Sequence, residues 1–142
     1  MKKAINLLCC VLVVVLCTTA IMSCSGSSKV DAYVQLLDEN LPSMSQPGVT
    51  FEGAKKEDQK VVIDIKLGMS YAEQGVTPEM FAIAASEGAT AEEIVSSSEQ
   101  IEKDLLKAVA NEGYSIVYNY IDVEGKIAEV VVSNSDLKKA LE

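Results

Sequence analysis

Residues 114–133 read YSIVYNYIDVEGKIAEVVVS, two apolar runs on either side of a turn. The segment Asp122-Val-Glu-Gly125 fits a type I turn followed by a glycine bulge, which is a frequent connection in β-hairpins. The predicted strands are 114–122 and 126–133. This stretch decides the predicted fold, because a long apolar hairpin needs a sheet and a covering layer.

The register of this hairpin follows if Asp122 pairs with Lys126. Tyr118 then lies opposite Val130, and Ile121 lies opposite Ile127. Both faces of the hairpin are largely apolar, which predicts either a strand covered on both sides or an exposed apolar patch.

A second hairpin is predicted upstream. Residues 60–67 alternate in polarity, with Val61, Ile63, Ile65 and Leu67 on one face, as in a half-buried strand. The β-rich segment 49–51 precedes it, and the polar residues 57–59 suit the turn between them.

Helical spacing of apolar residues predicts four helices, at 30–41, 78–86, 91–112 and 135–141. The third is the longest. It starts at the capping box of Thr90 and Glu93 and carries Ile94, Ser98, Ile101, Leu105 and Val109 on one face. Gly113 is placed to end it in a left-handed conformation, and the run Ser96–Ser98 gives its middle a weak helix propensity.

These elements predict an α+β domain of two layers. A four-stranded, mostly antiparallel sheet of two hairpins packs against the long amphipathic helix, with short N- and C-terminal helices. The predicted boundaries are 1–23 for a signal peptide, 24–29 for a modified cysteine and tether, and 30–142 for the single domain.

The N-terminus has the pattern of an export signal. Met1-Lys-Lys3 is positively charged, residues 4–22 are nearly all apolar, and Ile21-Met-Ser-Cys24 closes the apolar run before a Ser/Gly-rich stretch. The Ile21–Cys24 segment resembles the lipobox of bacterial lipoproteins. An uncleaved membrane helix and simple secretion are the alternative interpretations, since the apolar run is just long enough to span a bilayer.

The resemblance implies that Cys24 carries a diacylglycerol and that the leader is removed before Cys24. In this family the new amino group is often acylated, and palmitate is the expected fatty acid. The chain is similar to the small envelope lipoproteins of Bacteroidales-type bacteria. Ser25, where an Asp would favour inner-membrane retention, favours the outer membrane. The expected location is therefore the cell envelope, with the membrane as partner through the lipid on Cys24.

Composition excludes several kinds of chemistry. The chain has 142 residues, no histidine and no arginine, so a Ser-His-Asp site or a His-ligated metal is impossible. Three of the four cysteines, Cys9, Cys10 and Cys17, lie in the leader and the fourth is Cys24. The 119 residues from Cys24 onwards carry a formal charge of −11, which opposes nucleic-acid binding. We expect no cofactor, no metal and no enzymatic activity.

Four tyrosines are the candidate binding residues. Tyr114, Tyr118 and Tyr120 have even spacing on one predicted strand, and Tyr71 lies in the irregular segment before the second helix. They could form a platform that stacks on a sugar or a peptide. The alternative is that the rings pack under a helix.

Two acidic patterns in the sequence are candidates for a site. Asp122 and Glu124 begin like a calcium loop, but the fifth and twelfth positions are Lys126 and Ser133, so the EF-hand pattern fails. Asp64, among apolar neighbours, is the best candidate for a carboxylate of a glycan hydrolase. Its alternative is an open-face residue beside Lys66.

The sequence predicts a lipid-anchored module that binds or scaffolds an envelope protein or a surface glycan, with docking on an open strand edge as one route. A carboxylate-based glycan hydrolase is one alternative. A periplasmic enzyme inhibitor is another, and it would present an ordered loop at 42–48 or 68–76.

The lipid anchor can be tested at Cys24. Cys24→Ala is expected to abolish incorporation of labelled fatty acid and to leave the leader uncleaved, because the acceptor sulfur is gone. Cys17→Ala is the matched control and should be labelled and processed normally. Labelling of the Cys24→Ala protein at the normal level would contradict the prediction.

Overall fold

The computed structural model describes residues 28–142, so the predicted leader, Cys24 and most of the tether lie outside the described residues. This part of the chain forms five α-helices and a four-stranded sheet, which confirms the α+β class. No helix among residues 28–142 has the length and apolar character needed to cross a bilayer. The elements in chain order are α1 Lys29–Asn40, a 3-10 helix Leu41–Met44, β1 Val49–Glu57, β2 Lys60–Leu67, α2 Pro78–Gly88, α3 Ala91–Ser97, α4 Gln100–Asn111, β3 Ser115–Asp122, β4 Gly125–Val132 and α5 Asn134–Ala140.

The sheet has the strand order β1-β2-β3-β4. The two outer pairings, β1 with β2 and β3 with β4, are the predicted antiparallel hairpins. The central pairing is parallel and runs from Lys60 opposite Ser115 to Lys66 opposite Ile121. Because β2 and β3 point the same way, their C-terminal ends meet at one end of the sheet.

The register of the second hairpin is right along most of its length and wrong next to the turn. Tyr118 lies opposite Val130 as predicted, but Ile121 lies opposite Lys126, and Asp122 lies opposite Gly125. Tyr120 lies opposite Ala128 and the next residue, Ile121, lies opposite Lys126, so Ile127 is an extra residue in β4. This β-bulge shifts the register next to the turn by one residue from the predicted one.

The helices cover one face of the sheet, called here the inner face. α1 packs on β1, α2 packs on β4, and α4 packs against α1 and α5. The predicted alternation in β2 is confirmed, because the four residues of its apolar face join the hydrophobic core together with three from β3. These core residues are Val61, Ile63, Ile65, Leu67, Ile116, Tyr118 and Tyr120.

The opposite, outer face also carries valines. Val62 and Val117 are buried although they lie outside the core cluster, while Val131 is 51% exposed. Val62 lies opposite Lys55 of β1, and Val117 lies opposite Val131 of β4. Of these three valines only Val131 is exposed, so the exposed apolar patch that was one of the two predicted alternatives is not formed by them.

The single long helix predicted at 91–112 is two helices. α3 ends at Ser97, Ser98 is extended (φ −82°, ψ 140°), and α4 begins at Gln100. The serines explain the break, because the Ser97 hydroxyl donates to the carbonyl of Glu93 (2.7 Å) and the Ser98 hydroxyl to that of Ile94 (2.6 Å). Side-chain bonds of this kind compete with the helical backbone pattern.

The break changes which residues of the second half are buried. Ile101, predicted in the core, is 51% exposed, whereas Leu105 and Val109 are buried as predicted. Leu106, next to Leu105, is fully buried, and Glu102, which no apolar pattern indicated, is only 3% exposed. Other local signals are confirmed. Thr77 and Thr90 cap α2 and α3, and Gly113 is left-handed (φ +85°).

Both edge strands of the sheet are irregular. β1 has a bulge between Phe51 and Ala54, and β4 has its bulge near the turn. Bulges and edge lysines oppose the addition of a further strand. The predicted docking of a partner on an open edge is therefore disfavoured by the shape of both edges.

The bulge in β1 provides a stability test. Gly53 has φ +114°, and a Cβ there would lie 2.3 Å from Oδ1 of Asp38, the atom that accepts the Ala54 N–H. We expect Gly53→Ala to lower the free energy of unfolding by about 2–3 kcal/mol, since backbone strain and a lost hydrogen bond combine.

The control is Gly48→Ala, at a glycine that also has positive φ (+84°) but open space around its Cβ position. It should cost only about 1 kcal/mol, the strain alone. Urea unfolding measures both, and equal losses would show that the contact with Asp38 has no weight.

Candidate functional site

The parallel central strands give the domain two distinct ends. At the tether end, Ser28 caps α1, Asp31 pairs with Lys56, and the N–H of Ser115 donates to the carbonyl of Gln59 (3.0 Å). The chain enters the described structure here, at Ser28. The distal end consists of loop 68–76 and the turn Asp122–Gly125.

A buried carboxylate holds the distal end together. Oδ2 of Asp122 accepts the N–H of Tyr71 (3.1 Å), and Oδ1 accepts the N–H of Glu124 (2.8 Å). Asp122 therefore fixes its own turn and the loop after β2 at the same time. The sequence places Asp122 in the hairpin turn and its pattern fails as a calcium loop, but no local pattern indicates the bond to Tyr71.

A second bond joins the same two segments nearer the surface. The buried hydroxyl of Ser70 donates to Oε2 of Glu124 (2.8 Å) and accepts the N–H of Glu73 (3.3 Å). Loop 68–76 is thus ordered by side-chain bonds at two of its residues, Ser70 and Tyr71.

A cleft of about 120 Å³ lies between this loop, the start of α2 and the hairpin. Three aromatic rings lie in a row beside it and contact each other edge to face. The ring centroids of Tyr71 and Phe81 are 4.8 Å apart, and those of Phe81 and Tyr120 are 5.1 Å apart. Burial, and then the charge of Asp122, raises the pKa of the Tyr71 hydroxyl. The cleft wall is therefore mostly apolar.

Exposed apolar side chains stand on the distal end. Met69 in the loop is 48% exposed and Val123 in the turn is 65% exposed. Met80, in the first turn of α2, is exposed as well. Methionine adapts to irregular partner surfaces, so a loop that hydrogen bonds hold in place and that carries such residues is suited to contacting another molecule.

The structure separates the four candidate tyrosines. Tyr118 and Tyr120 lie on the inner face of β3 and are buried, and Tyr71 is buried against Phe81. Tyr114, just before β3, is half-buried against the core. These rings do not form an exposed platform, and packing under the helices describes three of them. Only Tyr71 belongs to the distal end.

The candidate hydrolase residue lies elsewhere. Asp64 is on the outer face, where it accepts the side-chain N–H of Asn119 (2.9 Å) and lies 3.8 Å from Nζ of Lys55. In the cleft, Asp122 uses both of its oxygens for backbone N–H groups. In the part of the chain that the structure describes, no group of three His, Cys, Asp or Glu could hold a metal ion.

Comparison with known proteins shows the fold alone. No protein-family profile matches the chain, and no curated protein sequence matches it. A crystal structure from Pseudomonas aeruginosa, described as a "putative secreted protein", is similar, with a TM-score of 0.51 and 12% identity. The match covers 76% of this chain and 88% of that chain.

Asp122 gives the test of this site. We expect Asp122→Asn to lower the free energy of unfolding by about 2 kcal/mol, because the amide can accept at only one position and leaves a buried N–H without an acceptor. Hydrogen exchange of the Tyr71 amide should accelerate. Asp64→Asn, a similar change at a half-exposed carboxylate, is the control. Equal effects of the two changes on the Tyr71 amide would contradict the assignment.

Proposed function

We propose that this protein is a lipid-anchored envelope protein that binds a partner protein through its distal end. The observation that carries the proposal is the position of the two ends. The chain enters the domain at the tether end, and the ordered loop with exposed apolar residues lies at the opposite end of the same strands. Strands of eight residues separate the ends by about 26 Å.

Support for the anchor comes from the lipobox-like segment ending at Cys24. The structural neighbour is described as a "putative secreted protein", which agrees with a location outside the cytoplasm. Acyl chains on Cys24 would hold the protein stably, because two or more chains give lasting attachment. The outer membrane remains the location that Ser25 favours.

Between the two predicted partners, a protein fits the distal end better than a glycan. Stacking on sugars needs exposed aromatic rings, and the exposed large apolar residues of the described chain include no aromatic ring. Met69 and Val123 offer instead the aliphatic contacts that occur at protein interfaces. A periplasmic inhibitor would be a special case of this proposal, with loop 68–76 as its ordered loop.

The hydrolase alternative finds less support in the geometry. It needs two carboxylates facing a cleft, one of them able to carry a proton to the leaving group. Asp122 is committed to the backbone on both oxygens, and Glu124 accepts the Ser70 hydroxyl. Neither carboxylate is free to act without breaking the loop.

The proposal is tested by photo-crosslinking in intact cells. A benzophenone amino acid is placed at position 123, or as a control at position 131, a comparably exposed valine near the tether end. Position 123 should give a discrete adduct with an envelope protein and position 131 should not. Met69→Ser should lower the yield about tenfold, since losing an apolar contact at a binding centre costs 1–2 kcal/mol.

Two outcomes would contradict the proposal. One is an adduct at position 131 without one at 123, which would move the binding surface to the outer face of the sheet. The other is an undiminished adduct in the Cys24→Ala protein, which would show that binding does not depend on the anchor.

A further inference from the structure

Charge is divided unevenly along the chain. Residues 67–102 contain no lysine, although the whole chain has 12 lysines and no arginine. This segment includes loop 68–76, α2 and α3, and it carries seven glutamates: Glu73, Glu79, Glu87, Glu92, Glu93, Glu99 and Glu102. A surface with one sign of charge and no counter-charges attracts molecules of the opposite charge.

The exposed side of α2 combines this charge with apolar side chains. Met80 is 56% exposed and Ile83 is 62% exposed. They are three residues apart and are therefore neighbours on one side of the helix. Glu79 and Glu87, both exposed, lie four residues before and four residues after Ile83. These four residues are called here the α2 face. The buried residues of α2 lie on its other side, which packs on β4.

The α2 face adjoins the cleft at the distal end. Pro78 and Phe81 of α2 line that cleft together with Glu124 of the turn. The loop and the turn that form the cleft also carry the exposed Met69 and Val123. With the two apolar residues of the α2 face, these make up four of the six large apolar side chains that are exposed in residues 28–142.

The glutamates of this region have no lysine partner within the described part of the chain. The carboxylates that form ion pairs there are Asp31, Glu52, Glu57, Asp64 and Glu129. Hydrogen bonds from its own N–H and from the Thr77 hydroxyl lower the pKa of Glu79, so this carboxylate is charged at neutral pH. A cationic partner can therefore bind these glutamates without displacing a lysine of the chain.

We propose that the partner contacts the α2 face and the distal end through a basic amphipathic segment, in which Lys or Arg residues alternate with apolar ones. This inference rests on the proposed function, which places a partner protein at the distal end, and it adds the chemistry of that partner. Apolar side chains of the segment cover Met80 and Ile83, and its cations lie against Glu79 and Glu87. Complementary charge of this kind speeds association and selects the partner.

Charge disfavours two other occupants of the same surface. A second copy of this chain would bring like carboxylates together, and like charges across an interface cost free energy. An anionic membrane surface is repelled for the same reason. A segment with cations and apolar side chains satisfies both features of the α2 face, and Met80 can adapt to its shape.

Charge reversal tests the inference, with the benzophenone at position 123 in intact cells. Glu87→Lys should lower the adduct yield about tenfold, because a repulsion replaces an attraction. Glu39→Lys is the matched control and should change the yield less than about twofold. Both glutamates are exposed and next to last in their helices. However, α1 packs on β1 and α2 on β4, at opposite edges of the sheet.

The apolar contact and the partner sequence are tested in the same cells. Ile83→Ser should lower the adduct yield about tenfold, whereas Val131→Ser on the outer face should leave it unchanged. Mass spectrometry of a chymotryptic digest should identify a crosslinked partner segment with a net positive charge. A lysine in the last turn suits the helix dipole, so Glu87→Lys and Glu39→Lys should both keep the native Tm.

The outcomes separate this inference from the proposed function. An adduct that persists in Glu87→Lys, or that is lost equally in Glu39→Lys, would overturn the inference and leave the proposed function standing. A crosslinked segment with a net negative charge would do the same. If Glu87→Lys does not fold, Glu87→Gln takes its place, and an undiminished adduct there overturns the inference. Absence of any adduct at position 123 in the native chain would overturn the proposed function, and the inference with it.

Discussion

The parallel pairing of β2 with β3 is the contact on which the layout of the domain depends. Parallel neighbours need a long crossover, and residues 68–114 supply it with three helices, α2, α3 and α4. The same pairing brings the C-terminal ends of both strands together. Asp122 at the end of β3 can then bond the loop that follows β2, which an antiparallel central pair would place at the opposite end.

Buried acceptors, more than ion pairs, hold the irregular parts of this protein in place. The ion pairs of the described chain involve lysines that are 38–55% exposed, and such pairs contribute little. The buried polar residues are Ser70, Glu102 and Asp122. Each accepts a backbone N–H at a loop or at a helix start. With no arginine available, a carboxylate that holds a backbone amide takes the place of a buried ion pair.

Local signals in the sequence predicted most elements of the fold, because caps, alternation and turns act over a few residues. Thr77, Thr90 and Gly113 are examples. The break at Ser98 was missed although its signal was present in the serine run, because apolar spacing continued across it. The parallel central pairing was not predicted either, because the alternation in each hairpin indicates which face of its strands is buried and not the direction in which the two hairpins pair.

The candidate site was harder to predict than the fold, and the tyrosines show why. A tyrosine ring is apolar and its hydroxyl is polar, so even spacing on a strand fits a core and a binding surface alike. The burial of Asp122 could not be predicted, since an acid in a turn is expected to face solvent. Its role depends on Tyr71, which is 51 residues away in the chain, and no local pattern contains that information.

The position of the distal end also bears on how such a protein could recognise a partner. On the proposed attachment through Cys24, the domain could rotate about the direction of its strands, so its sides would face all directions in turn while its distal end would keep pointing away from the membrane. Recognition at the far end does not require a fixed rotation. With that attachment, exposed apolar residues on a loop held by Asp122 would suit a partner that approaches from beyond the membrane surface, whereas Val131 on the outer face would face such a partner only part of the time.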